Sequence, residues 1–229
     1  MIKSLLFISI APIITIALYI YIRDKYEKEP LGSLLLALLT GALIIIPAVL
    51  IESLLESFAT PSHIIIKSFY MGFGVASLTE EGLKFIAFML FFWRSKNFNE
   101  KFDGIVYAVF ISLGFAAVEN LFYVYKGGYN VGEIRAISAV PAHALFGIIM
   151  GYHLAKAKFY PGRRGLHLLL AFLMPFAWHG LYDFLLLGEN EVFLFIFIPV
   201  FIYFWITGFR RMKELSDASV FRNDLPPGQ

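Results

Sequence analysis

Cysteine is absent from the 229 residues, which excludes disulfides, thiolate nucleophiles and cysteine-based metal sites. Charge is scarce as well. Only 16% of the residues are Asp, Glu, Lys or Arg, and a formal net charge of +2, spread along the chain, gives no footprint for a nucleic-acid partner. None of the five histidines is followed by Glu, so the HExxH zinc motif is missing. There is no GxSxG, and Ser77, Ser112 and Ser138 have no neighbouring His, which argues against a rhomboid-like serine nucleophile. Tyr182-Asp183 matches half of an aspartyl intramembrane site, but no Gly-x-Gly-Asp supplies the other half, and Asp103 falls at a membrane edge. Internal repeats and low-complexity tracts are absent too.

Apolar residues make up 59% of the chain, more than a soluble domain of this size carries. They fall into runs at about 2–22, 31–51, 66–93, 104–125, 134–155, 166–187 and 192–209. At roughly 20 residues per crossing, these predict an all-α, polytopic membrane bundle of seven helices. The first run is too long for a signal-peptide core and reads as a retained anchor. Basic residues alternate between the connections. Arg23, Lys25, Lys28, Arg94, Lys96, Lys101, Lys156, Lys158, Arg163, Arg164, Arg210, Arg211, Lys213 and Arg222 fall on one side, against Lys3, Lys67, Lys126 and Arg135 on the other. The positive-inside rule then predicts an outside N-terminus and a cytoplasmic C-terminus. Residues 1–215 are expected to form one membrane domain and 216–229 a polar, disordered cytoplasmic tail. Polar residues from Glu52 to Lys67, with Pro61 as a breaker, predict an external loop or a short interfacial helix.

Against this apolar background, Thr79-Glu80-Glu81-Gly82-Leu83-Lys84 places three charges inside the third run. An ionised side chain there costs about 2.5–3.5 kcal/mol, so it persists only if paired, hydrated or used. Glu80 and Lys84, at i and i+4, share a helix face; Glu81 has no such partner at that spacing. The following runs add Glu119 with Asn120, His143 and His153, and His179 with Asp183. His153 lies near the cytoplasmic end and is set apart. Counting along the helices puts Glu119, His143 and Asp183 in the outer half and Glu80 and His179 near the middle, positions from which they can converge on one outward-opening cavity. A single buried His or Asn is often interhelical glue worth about 0.6–2 kcal/mol, which does not repay a whole cluster of carboxylates.

Local spacing supports convergence. Asp183 can hold His179 by one ring nitrogen, leaving the other for a metal or substrate. Gly147 and Gly151 form a GxxxG on the stripe below His143 and admit a close neighbour. Gly72, Gly74, Ala76 and Ser77 make a second narrow face, for a packed helix or a substrate. The chemistry left open is a Glu-activated water attacking a peptide carbonyl. His143 and His179 then either hold a divalent metal, most simply zinc, with a carboxylate, or donate hydrogen bonds to the oxyanion. A proton-coupled transporter or channel is the alternative use of such carboxylates, though the repeats and broken helix pairs of transporter folds are missing.

In Glu80-Glu81-x-x-Lys84, Phe115-x-x-x-Glu119-Asn120, His143-Ala144-x-x-Gly147 and His179-Gly180-x-Tyr182-Asp183, the chain resembles the PrsW intramembrane proteases, which are related in motif to the CAAX-processing and bacteriocin-processing membrane proteases. Phe102-Asp103-Gly104-Ile105-Val106-Tyr107 also looks like that family's lead into its fourth helix. The resemblance implies a bacterial plasma-membrane protease that makes the site-1 cut in a single-span anti-sigma factor during envelope stress. It implies Glu80, Glu81 and His179 as catalytic candidates, with Glu119, Asn120, His143 and Asp183, and Lys84 beside them, in support. The family is described as metalloprotease-like, whereas its CAAX-processing relatives have been argued to use a Glu without a catalytic metal.

Overall fold

The computed structural model describes residues 2–60 and 63–222. Pro61 and Ser62, and the end of the expected tail at 223–229, lie outside the described residues. The helices are α1 (Ile2–Arg23), α2 (Leu31–Glu56), α3 (Ile64–Phe69), α4 (Leu78–Phe91), α5 (Lys101–Ile137), α6 (Ala139–Phe159), α7 (Arg164–Leu187) and α8 (Glu191–Asp217). A π-helical segment, Tyr70–Ser77, joins α3 to α4, and no strand occurs among the described residues. Five stretches there are long and apolar enough to cross a membrane: Ser4–Arg23, Leu31–Glu56, Lys101–Phe159, Pro161–Leu187 and Glu191–Asp217. The fourth of these includes a short 3-10 turn, Pro161–Arg163, ahead of α7, and Lys101–Phe159 holds both α5 and α6. The Ile64–Phe91 stretch is divided by its π segment and carries Glu80, Glu81 and Lys84.

The first half of α5 and nearly all of α6 are buried and form the centre of the bundle. Around them, α1, α2, α7 and α8 turn apolar faces outward, as at Leu43, Leu50, Leu169 and Phe195, each more than half exposed. Such an exposed apolar surface is the signature of a chain solvated by acyl chains. The GxxxG stripe serves the central contact. A Cβ at Gly151 would lie 2.2 Å from the Gly104 carbonyl oxygen, so α5 and α6 cross backbone to backbone.

Two further contacts fix the segment that carries the charges. A Cβ at Gly72 would lie 3.0 Å from the Gly180 carbonyl oxygen, and Ser77 Oγ donates to the Phe176 carbonyl at 2.6 Å. The narrow face before the Glu pair is therefore occupied in part by α7, which brings His179 up to α4. The π turns meet a packing need here: small residues let the wider helix approach α7, and the extra residue per turn resets the direction in which Glu80 and Glu81 project.

The apolar run expected to end at residue 51 continues as helix through Glu56, so Glu52 lies within α2, in neither the external loop nor the separate interfacial helix expected from Glu52 onward. At the other end of the chain, α8 runs through Asp217, and Ser219 donates to Glu100.

Candidate active site

Lys84 is the hub of the polar cluster. It is fully buried, and its Nζ lies 2.7 Å from Glu81 Oε1, 3.0 Å from Glu80 Oε2 and 3.2 Å from His143 Nδ1. It also sits 4.5 Å from the centre of the Phe115 ring. Glu81 was expected to lack a local partner; the i,i+3 spacing supplies one, because a lysine stem can lean between two successive carboxylates. Three donors on one ammonium satisfy all three neighbours at once.

His143 and His179 are each held at both ring nitrogens. His179 Nδ1 lies 3.0 Å from Glu81 Oε1 and its Nε2 lies 3.2 Å from Asp183 Oδ2, the i,i+4 contact predicted from spacing. Its ring stacks on Phe146 at 4.8 Å between centroids. His143 Nε2 lies 2.8 Å from Glu119 Oε2, while its Nδ1 faces the Lys84 ammonium. Because an ammonium only donates, Nδ1 of His143 accepts and the ring proton sits on Nε2, toward Glu119. The four helices thus contribute to one connected network, as their motifs required. His153 stays apart, with its Nδ1 3.1 Å from His167 Nδ1.

A cavity of about 640 Å³ opens over this network. Glu80, Glu119, His143, His179 and Asp183 all line it, together with Phe115, Phe146 and Tyr182. Glu81 and Asn120 do not line it, and both are fully buried. The two adjacent glutamates therefore differ in kind: Glu80 faces the space a ligand would fill, and Glu81 stands behind it, holding Lys84 and His179.

The lining also includes charged residues that were not among the candidates, Glu52 and Arg135 foremost. Glu52 reaches the cavity from α2, and its buried Oε1 has no hydrogen-bond partner. Arg135 reaches it from the far end of α5, with Nη2 3.0 Å from Glu119 Oε2 and Nε 2.9 Å from Asn120 Oδ1. On a straight helix, Arg135 and Glu119 would be separated by about 24 Å of rise. The chain closes that gap at Gly128, whose φ of 77° and ψ of −163° fall in a region reserved in practice for glycine. Asn120 completes the fastening by donating to the Ser9 carbonyl of α1 at 3.0 Å.

Ligand atoms of Glu80, Glu81 and His179 lie within 4.8 Å of one another, and two carboxylates with one imidazole supply the three protein ligands that an open hydrolytic metal site uses. Glu81 Oε2 is buried with no partner, which leaves a donor atom free on the residue that Lys84 holds only by Oε1. His179 turns Nδ1 toward the Glu pair and Nε2 to Asp183, the carboxylate-backed orientation usual for a ligating histidine. The residues therefore fit a divalent metal. His143, proposed from sequence as a ligand, stands beside this group and points its two nitrogens at Lys84 and Glu119.

Residues 29–207 match the family described as PrsW family intramembrane metalloprotease. The chain is 37% identical to "Protease PrsW" of Oceanobacillus iheyensis over 95% of its own length and 98% of the relative. It is 35% identical to the protein of that name from Geobacillus kaustophilus, covering 92% of each chain. Against the Bacillus subtilis protein, identity is 32% over 93% of this chain and 96% of the relative. No solved structure matches. A polytopic helical bundle with a buried carboxylate, lysine and histidine network beneath an acidic cavity, matched over this length, belongs to the PrsW family of intramembrane metalloproteases.

Proposed function

We propose that this chain makes the first, site-1-type cut in a single-span anti-sigma factor of the bacterial plasma membrane, using a water activated by Glu80. The observation that carries the reading is that Glu80 is the member of the Glu pair that lines the cavity. The lining residues come from the ends of α2 and α7, the π segment and first turn of α4, the start of α6 and the 115–135 part of α5, with exposed Glu56 and Lys126 among them. That end of the bundle is opposite the Lys- and Arg-rich connections. With seven crossings and an outside N-terminus, it faces out, which suits a cut in the extracytoplasmic part of a substrate.

In this reading Glu80 takes a proton from water as the oxygen attacks the scissile carbonyl, then gives that proton to the departing amine as the C–N bond breaks. The Lys84 ammonium keeps Glu80 directed, and Glu81 keeps Lys84 and His179 in place. The Arg135 guanidinium and the His179 ring border the space in which the tetrahedral oxyanion forms and supply positive charge to it, while His143 holds Glu119 beside them. A divalent metal held by Glu80, Glu81 and His179 would add Lewis-acid polarisation of the carbonyl and a more acidic water.

The test is cleavage of a tagged single-span anti-sigma factor by the purified protein in detergent, with and without a strong chelator, beside a Glu80→Gln/Glu81→Gln variant. Loss with the variant and with chelator, restored by zinc, establishes metal dependence. Loss with the variant alone leaves the water to Glu80 and the histidines. A variant that cleaves as well as the parent sinks the proposal.

Arg135 gives a second handle. Arg135→Ala removes a charge-assisted contact worth about 1.5–3 kcal/mol, so kcat/KM should fall about 10- to 100-fold. Gly128→Ala should produce a parallel loss, because it strains the turn that delivers Arg135 by about 1–3 kcal/mol. Arg135→Lys should recover little, since an ammonium cannot fork between Glu119 and Asn120. Full activity in Gly128→Ala would show that the fold-back is not needed.

A further inference from the structure

A second buried acidic cluster lies at the other end of the bundle, remote from the cavity. Asp24 sits in the connection from α1 to α2, Glu100 and Asp103 at the start of α5, and one carboxylate oxygen from each lies within 4.8 Å of the other two. Asp24 and Asp103 are 0% exposed and Glu100 is 1% exposed. Glu29 is beside them, accepting from Tyr107.

Buried carboxylates need a cation, a hydrogen-bond donor or a proton. The donors present satisfy only part of this group. Asp103 Oδ2 accepts from the backbone N–H of Asn99 at 2.8 Å and of Glu100 at 2.7 Å, and Asp24 Oδ2 accepts from the Glu29 N–H at 3.3 Å. Asp24 Oδ1 and Asp103 Oδ1 are buried with no partner. Among the described residues no Lys or Arg makes an ion pair with Asp24, Glu29, Glu100 or Asp103. Arg23 and Lys25, which flank Asp24 in the chain, make no ion pair with it among the described residues, while Lys28 donates to the Tyr21 and Ile22 carbonyls and Lys101 to that of Ala218. This is the reverse of the intramembrane site, where Lys84 answers both glutamates.

We propose that Asp24, Glu100 and Asp103 form a structural binding site for a hard divalent cation of the Mg²⁺ or Ca²⁺ class. The ligands offered are all oxygens, which favour these ions over zinc. The unpartnered Oδ1 atoms of Asp24 and Asp103 are the donors that such an ion satisfies. Its role is to staple three distant parts of the chain, because Ser219, beyond α8, donates to Glu100 and so joins the same cluster.

The experiment is thermal unfolding of the purified full-length protein in detergent, first stripped with chelator and then titrated with Mg²⁺, Ca²⁺, Mn²⁺ or Zn²⁺. At roughly a hundredfold excess over Kd, Mg²⁺ or Ca²⁺ should raise Tm by about 5–10 °C. Asp24→Asn keeps the acceptor for the Glu29 N–H, and Glu100→Gln leaves the Asp103 cap intact; each should abolish the rise. Terbium luminescence, sensitised by the nearby Tyr107, should disappear in both variants and provides a readout should either unfold early. No cation effect on the parent, with stabilisation only on acidification, would mean shared protons hold the cluster and would overturn the site. A rise that persists in both variants would place the ion elsewhere, including the intramembrane glutamates, and would overturn it equally.

Discussion

Glu80→Gln is expected to abolish cleavage, with a loss of about 10²–10⁴-fold from the missing general base, while leaving the bundle folded. The substitution preserves the side chain's shape and an acceptor for Lys84, and it acts at the carboxylate that lines the cavity. Glu81→Gln should also be damaging, but by a different route. Glu81 Oε1 accepts from both Lys84 and His179, at 2.7 Å and 3.0 Å, and Glu81 is fully buried behind the cavity wall. Its amide would keep one acceptor and lose the charge, loosening His179 and Lys84 together. The two variants separate in the pH dependence of kcat/KM. Glu81→Gln should retain a residual activity that still requires an ionised group on its acidic limb, and Glu80→Gln should leave no activity with that limb. If Glu80→Gln instead keeps the limb and Glu81→Gln erases it, the assignment of the base is reversed. Single-turnover cleavage of a tagged single-span substrate, with Tm recorded for each variant, makes the comparison.

Much of this site was legible because charge is so costly in an apolar helix that each ionisable residue announces itself. Glu80, Glu81, Lys84, Glu119, His143, His179 and Asp183 all belong to one network, and Asn120 touches it through Arg135. The i,i+4 pairing of His179 with Asp183, and the close crossing at Gly151, follow from helical periodicity alone. What escaped was whatever depends on departures from that periodicity. Arg135 was counted as a topogenic charge in an outer connection, since nothing in helix spacing signals a fold-back at a glycine with positive φ. A polar residue at the end of an apolar run reads as leaving the membrane, into a loop or a short interfacial helix, yet Glu52 belongs to α2 and faces the cavity. The π segment is likewise silent in sequence, because it uses the same apolar and small residues as an α-helix. Only the glycines at 72 and 74 marked that stretch as unusual.

Lys84→Met should give the largest loss of stability in the chain, about 3–5 kcal/mol, because it leaves two buried carboxylates side by side without their shared cation. For a protein of this length that corresponds to a fall in Tm of about 10 °C. The expected asymmetry is in the rescue. Glu80→Gln/Glu81→Gln/Lys84→Met removes all three charges and should recover most of the Tm while remaining inactive, since the penalty arises from uncompensated charge and not from lost packing. Thermal unfolding in detergent, run with and without chelator, reads both effects. If Lys84→Met is as stable as the parent only when metal is supplied, the ammonium and a divalent cation are interchangeable sources of positive charge for Glu80 and Glu81. If it is stable in chelator as well, the glutamates carry a proton between them and the ion-pair account of the hub fails. Lys84 therefore decides more than its own contribution: how its removal is tolerated shows which positive charge the catalytic carboxylates were built to face.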